Sequence, residues 1–214
     1  MDSNIVLPKE NTAYLLLENF ALAGNVADKT PCYPESSSWT DIDAGATPYP
    51  CDAAGFVVAN AGSVASSYWV ATSVAHPSTF KLRGVVSLGA SDNIRFILRA
   101  SYAIAFGSTD MDYYQFRVKD NGSNLPLVKL QSRTYPGALV EVNDTDGNAE
   151  AVLGNTPCTT RMPFQLDGTD TQLIITIGGA SRAWPLSLFP GNTIFGFACG
   201  GVTDKLHELR MWQG

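Results

Sequence analysis

The residues whose types and spacing most invite chemistry are Asp144, Asp146 and Asn148, with Gly147 among them. Three oxygen-bearing side chains at alternate positions suit Ca²⁺, a hard cation. The same composition is that of an ordinary turn. An EF-hand would also need a Glu near the twelfth loop position and flanking helices, and the sequence supplies neither. Asp167-Gly168-Thr169-Asp170 is a second, weaker case of the same kind.

Other chemistries find less support. Retaining glycosidases set two carboxylates about 5 Å apart. Glu141 (in LVEVND) and Glu208 (in HELRM) each lack a second acid two or four residues away within their own strand-like run. The two histidines are His76, before Pro77, and His207, beside Glu208. Neighbours in a strand face opposite sides of the sheet, and no Gly-x-Ser-x-Gly elbow accompanies either histidine. Both are expected to be structural, and the chain is expected not to be an enzyme. Glycan binding would use an aromatic face beside Asp, Asn or Arg. Trp39, Trp69, Tyr102, Tyr113, Tyr135 and Trp184 are the available platforms. Any of them can instead pack under a loop or against a neighbouring subunit.

These residues sit on strand-like runs. From Asp92 to Leu130 three runs are joined by two polar turns. Ile94, Phe96 and Leu98 alternate with Asn93, Arg95 and Arg99; Tyr114, Phe116 and Val118 alternate with Tyr113, Gln115, Arg117 and Lys119. A period of two predicts one apolar row on a core and one polar row in water. Asp120-Asn121-Gly122-Ser123 predicts an antiparallel hairpin. Residues 12–20, 55–61, 67–74, 80–88, 138–142, 150–153, 171–177, 193–200 and 205–212 also read as strands, about twelve in all. Gly84 reads as a bulge within its run. Trp69, like Tyr113, falls on an outward face. Residues 31–51 form a Pro-rich insertion holding Trp39, and Cys32 and Cys51 bracket a loop that a disulfide would close.

Composition narrows the classes. With 214 residues, 45% hydrophobic and 16% charged, the chain can bury one sizeable core. Its apolar runs are too interrupted for a membrane span, and no membrane insertion is expected. A net charge of −6 with scattered basic residues argues against nucleic acid as a partner. MDSNIVLPKEN has no basic n-region and no long apolar stretch, so secretion by a signal peptide is not expected. With four cysteines and no CxxC pair, neither a disulfide scaffold nor zinc is expected. Cys199 is expected to be a small buried hydrophobe.

LLLENFALAG…SSSW, FILRASYAIAFGSTDMDYYQFRVKDNG…LVKL, TQLIITIGG, IFGFACGG and HELRMW occur in an order that resembles a known family. The chain is similar, from Leu15 to Trp212, to the concanavalin A-like, laminin G-like jelly-roll domains of phage structural proteins and secreted carbohydrate-binding proteins. The resemblance implies an all-β fold: a two-sheet antiparallel β-sandwich, read here as one domain over residues 1–214. It implies no single function, because this fold hosts lectins, glycanases and inert structural modules alike.

Two readings follow. In the first the chain is a non-enzymatic phage virion protein, a decoration, head or tail module. It would be made in the host cytoplasm and displayed on the virion surface, and its partners would be other virion proteins or copies of itself. The alternative is a lectin-like carbohydrate- or receptor-binding module on a cell-surface glycan. Its site residues would be Trp39, Trp69, Tyr113 and Trp184. No cofactor is required, and Ca²⁺ at Asp144, Asp146 and Asn148 is the one ion the residues suggest.

Overall fold

The computed structural model describes residues 14–20, 24–25, 39–41, 50–52, 56–57, 69–71, 74–89, 93–101, 111–200 and 203–214. All regular structure among them is β. In chain order the strands are β1 (Tyr14–Glu18), β2 (Gly24–Asn25), β3 (Trp39–Asp41), β4 (Pro50–Asp52), β5 (Phe56–Val57) and β6 (Trp69–Ala71). β7 (Phe80–Ser87), β8 (Asn93–Ala100), β9 (Tyr113–Asp120), β10 (Pro126–Arg133), β11 (Val140–Val142) and β12 (Glu150–Val152) follow. β13 (Met162–Gly168), β14 (Gln172–Ile177), β15 (Ala180–Pro185), β16 (Ile194–Cys199) and β17 (Lys205–Gln213) complete the order.

They form two antiparallel sheets. The first runs β15-β14-β13-β7-β17-β5-β4-β2, with β1 also on β17. The second runs β11-β10-β9-β8-β16-β6-β3, with β12 also on β10. Residue types explain the pairing. In the β9–β10 turn, Asp120 Oδ1 accepts from the amides of Gly122 and Asn124, and Asn121 Oδ1 from those of Ser123 and Leu125. These side chains satisfy the turn amides locally and fix the register at Asp120↔Pro126. Gly178 and Gly179 take positive φ (56° and 81°) in the tight turn between β14 and β15, conformations that side chains disfavour.

The inward rows build one core. Phe80, Leu82 and Val86 on β7, and Met162, Phe164 and Leu166 on β13, meet Ile94, Phe96 and Leu98 on β8 and Tyr114, Phe116 and Val118 on β9. Phe96 and Phe164 touch across the layers with ring centroids 4.8 Å apart. Cys199 is fully buried in this core, as expected.

Several local expectations are corrected. Gly84 is not a bulge: it pairs regularly with Phe164 and Leu209. The irregularity lies on β17, between Leu206 and Glu208. Gly84 is needed because the Phe164 ring fills the space of a side chain. A Cβ there would lie 2.5 Å from Phe164 Cε1 and 2.8 Å from the Glu208 carbonyl oxygen. Gly84→Ala should therefore lower stability by about 1–3 kcal/mol, the range for overpacking; urea unfolding measures it, and an unchanged midpoint would refute it. β11 and β12 each pair with β10. Arg99, expected in water, is buried with φ 51°. Tyr113 and Gln115 are on the outward row but buried too.

Candidate functional site

Trp39, Tyr113 and Trp184, three of the sequence-predicted aromatic residues, are each buried, on three different strands. Trp39 lies on β3 of the second sheet and packs against Phe20 and Phe197, with centroids 6.3 and 5.3 Å away. Its indole Nε1 donates to Glu18 Oε2 at 3.2 Å. Trp184 is fully buried on β15 of the first sheet. Tyr113 is 2% exposed, in a second buried cluster with Ile97, Ala100, Met111 and Ala198 on the outward side of the second sheet. Burial pushes its phenol pKa up, opposed by a hydrogen bond from Arg133. None of these three offers an open aromatic face to a sugar. Trp69 falls on β6, but its side chain, Tyr102 and Cys32 lie outside what is described. Tyr135 is half-exposed beyond β10.

The candidate calcium turn is closed by its own groups. Asp144 is buried, and its Oδ1 accepts from the backbone amides of Asp146 (2.9 Å) and Asn148 (2.7 Å). Its Oδ2 lies 3.5 Å from Arg182 Nε, and Asp146 pairs with the same guanidinium. Arg182 thus supplies the positive charge that a cation would bring, and Asn148 serves as a turn residue. A shallow depression beside the turn is lined by Thr145, Asp146, Ile174, Ser181, Arg182 and Ala183, with its two charges paired to each other. Among the described residues no group of three or more His, Cys, Asp or Glu side chains could hold a metal.

Both histidines make contacts within the fold. His76 is buried, its Nε2 accepts the Arg99 amide at 2.8 Å, and its ring packs on Phe80 at 4.9 Å. His207 Nε2 meets Ser87 Oγ at 2.9 Å, and Glu208 pairs with Arg210 at 2.8 Å.

Polar side chains do converge on the outward face of the second sheet. The register lines up Ala198, Arg95, Arg117, Lys129 and Glu150 in one row across β16, β8, β9, β10 and β12. The next row holds Gly196, Ile97, Gln115, Gln131 and Glu141. Lys119 and Arg133 flank them on β9 and β10. Gln115 Nε2 donates to Gln131 Oε1 at 3.1 Å, and Arg95 Nε to Asn93 Oδ1 at 2.7 Å. Lys129 bonds Glu141 and lies 3.4 Å from Glu150, which also takes Lys119 at 3.5 Å. The bond to Glu141 raises the Lys129 pKa, with burial opposing it. Arg95, Arg117, Lys129 and Gln131 are half-buried. A half-buried array of guanidinium and amide groups on rigid strands can hold hydroxyl and oxyanion groups in fixed geometry.

Alternation alone places Arg95, Arg117 and Lys119 in outward rows. The hairpin register needed to set Arg117 opposite Lys129 follows from the turn at Asp120. The convergence of Glu141 and Glu150 on one lysine had no signal in sequence, because it depends on two separate edge strands sharing β10. An aromatic site also goes unnoticed on the first sheet. Arg83 stacks over Trp212 at 5.2 Å, Tyr14 meets that ring edge-on at 6.2 Å, and Arg83 Nε donates to Gln165 Oε1 at 2.8 Å. There the chain's own arginine occupies the indole face.

No family model matches the chain, and no curated protein matches it. Solved structures match its fold. A Bacillus subtilis protein of unknown function with a galectin-like fold superposes with TM-score 0.59 at 9% identity, covering 95% of this chain and 97% of that one. The family GH16 endo-β-1,3(4)-glucanase SCLam gives TM-score 0.58 at 9% identity, covering 95% and 92%. The potassium-bound carbohydrate recognition domain of Emp46p gives 0.51 at 9% identity, covering 92% and 99%. The chain therefore has the jelly-roll β-sandwich architecture of the concanavalin A-like kind, shared with galectin-like and GH16 domains.

Proposed function

We propose that this protein is a carbohydrate-binding module that acts without hydrolysis, and that its sugar lies across Arg95, Arg117, Lys129 and Gln131 on the outward face of the second sheet. The observation that carries the reading is the half-buried polar row that the β8–β9–β10 register assembles on a fold shared with a carbohydrate recognition domain. Guanidinium and amide groups donate to sugar hydroxyls, and the strands hold them in place before binding. Among the described residues of this face, the carboxylates Glu141 and Glu150 serve as partners of Lys129. Placement on a virion surface rests on the sequence resemblance alone; glycan binding is the reading that the fold likeness supports.

Titration with a panel of oligosaccharides tests it. Gln131→Leu should weaken the best ligand by up to about tenfold, the worth of one hydrogen bond. Trp212→Ala on the opposite sheet should change affinity by less than about twofold, and no reducing ends should accumulate. Loss of binding in Trp212→Ala, with Gln131→Leu unaffected, would move the site to the first sheet.

A further inference from the structure

The β9–β10 turn carries the chain's one Asn-Gly pair, Asn121-Gly122, and its groups are set to react with each other. Asn121 Oδ1 accepts the backbone amides of Ser123 at 2.8 Å and Leu125 at 3.2 Å. Two N–H donors on one carbonyl oxygen stabilise negative charge that develops there. The Gly122 amide, next along the chain, donates to Asp120 Oδ1 at 2.9 Å. A carboxylate on an N–H is placed as a general base. The side-chain carbonyl thus has an oxyanion pair, and the backbone nitrogen that follows it has a base. The frame around them is fixed. The Asn121 amide donates to the Leu125 carbonyl at 3.0 Å, and Asn124 takes the amides of Cys158 at 3.0 Å and Thr159 at 3.1 Å. Gly122 is exposed with φ 86°, and a Cβ there would meet nothing within 4 Å. Nothing crowds a ring closing at this point, or the water that must open it.

We propose that Asn121 is a self-modification site, deamidated through a succinimide with Asp120 as the base. Asp120 Oδ1 takes the Gly122 amide proton as that nitrogen attacks Asn121 Cγ. The new C–N bond pushes the carbonyl electron pair onto Oδ1, where the Ser123 and Leu125 amides hold it. The pair returns, the Cγ–Nδ2 bond breaks, and Nδ2 leaves as ammonia with the proton from Asp120. Water then adds to either carbonyl of the imide, and its second hydrogen goes to the ring nitrogen. The product is aspartate or isoaspartate, with no change of oxidation state. Either one adds a negative charge beside Asp120. Isoaspartate also lengthens the main chain by one methylene, in the turn that fixes the register at Asp120↔Pro126.

Incubation of the full chain at neutral pH, followed by peptide mass spectrometry, tests this. The probe is the mass gain of an amide-to-acid exchange at residue 121, read over time in the folded protein and in urea. Asp120→Asn keeps the shape of the side chain and removes the base. Folded wild type should react at least about tenfold faster than folded Asp120→Asn, below the usual worth of a positioned base. In urea the two chains should react within about twofold of each other, because the base is no longer held on the amide. A smaller ratio in the folded proteins would overturn the inference. The wild-type comparison needs no variant: its folded rate should exceed its rate in urea. A folded rate below the urea rate would also overturn the inference, because the turn would then shield the amide. So would the absence of any gain at residue 121 in the folded protein.

Discussion

Arg99→Ala should lose about 3–5 kcal/mol of folding stability, the cost of emptying the space of a large buried side chain and leaving its acceptors without donors. Arg99 is 1% exposed. Its Nη1 donates to the Leu188 carbonyl at 3.1 Å, and its Nη2 to those of Thr169 (2.7 Å) and Asp170 (3.1 Å). These acceptors lie in the β13–β14 turn and the loop after β15, so one side chain on the second sheet closes an end of the first. Burial lowers the Arg99 pKa, with Tyr114 and Asp170 opposing the shift. Tyr114 supports the same loop, accepting the Leu188 amide at 2.9 Å. Without the guanidinium, three carbonyls lose their donors and the space of a long side chain empties. Arg99 also holds φ at 51°, which costs a non-glycine residue about 1–2 kcal/mol. Arg99→Gly should therefore lose about 1 kcal/mol less than Arg99→Ala. Urea unfolding of the three proteins measures both differences. An Arg99→Ala variant within about 0.5 kcal/mol of wild type, the range of an ordinary surface substitution, would show that these bonds do not hold the sandwich end.

Acid should destabilise the fold through His76 before most carboxylates titrate. Its pKa is lowered from 6.5 to about 4, first by burial and further by the charge of Arg99, against a raising bond to the Pro77 carbonyl. The neutral ring is required, because Nε2 accepts the Arg99 amide while Nδ1 lies 3.1 Å from the Pro77 oxygen. The folded pKa lies below the unfolded one. Between about pH 6.5 and pH 4 the unfolded chain therefore binds a proton that the folded chain refuses. The stabilisation is complete above pH 6.5 and is lost as the pH falls towards about 4, by about 3 kcal/mol in total. His207 is also lowered to about 4, by burial and by Arg161 and Lys205, and acts in the same direction. His76→Gln should flatten the loss between pH 6.5 and 4, leaving the share due to His207. Urea midpoints at pH 7, 5.5 and 4 decide it. A slope unchanged by the substitution would mean that His76 titrates normally in the folded protein.

The inward rows are legible in sequence. Phe80, Leu82 and Val86, or Ile94, Phe96 and Leu98, alternate with polar neighbours, and the two-residue period places them in the core where they are found. The outward rows are harder to read. Period two says which side a residue faces and nothing of what covers that side. Tyr113 and Gln115 are outward as expected, yet both are buried, Tyr113 among Ile97, Ala100, Met111 and Ala198. Arg99 reads as a wet residue because its acceptors come from a turn 70 residues away. Trp39 and Trp184 look like sugar platforms only until their neighbours are known. The calcium pattern at Asp144 and Asp146 hides the arginine that answers it, since Arg182 arrives from β15. The basic row is partly legible: Arg95 and Arg117 follow from alternation, but the opposition of Arg117 to Lys129 needs the hairpin register.

The central claim is that the outward face of the second sheet takes a saccharide. The most direct measurement is side-chain NMR of the arginine Nε–H and glutamine amide signals during titration with an oligosaccharide chosen from the binding panel. The account predicts saturable shifts of Arg95, Arg117 and Gln131, with the Trp212 indole and Arg83 unmoved. Saturable shifts of Trp212 and Arg83, with Arg95, Arg117 and Gln131 silent, would contradict it.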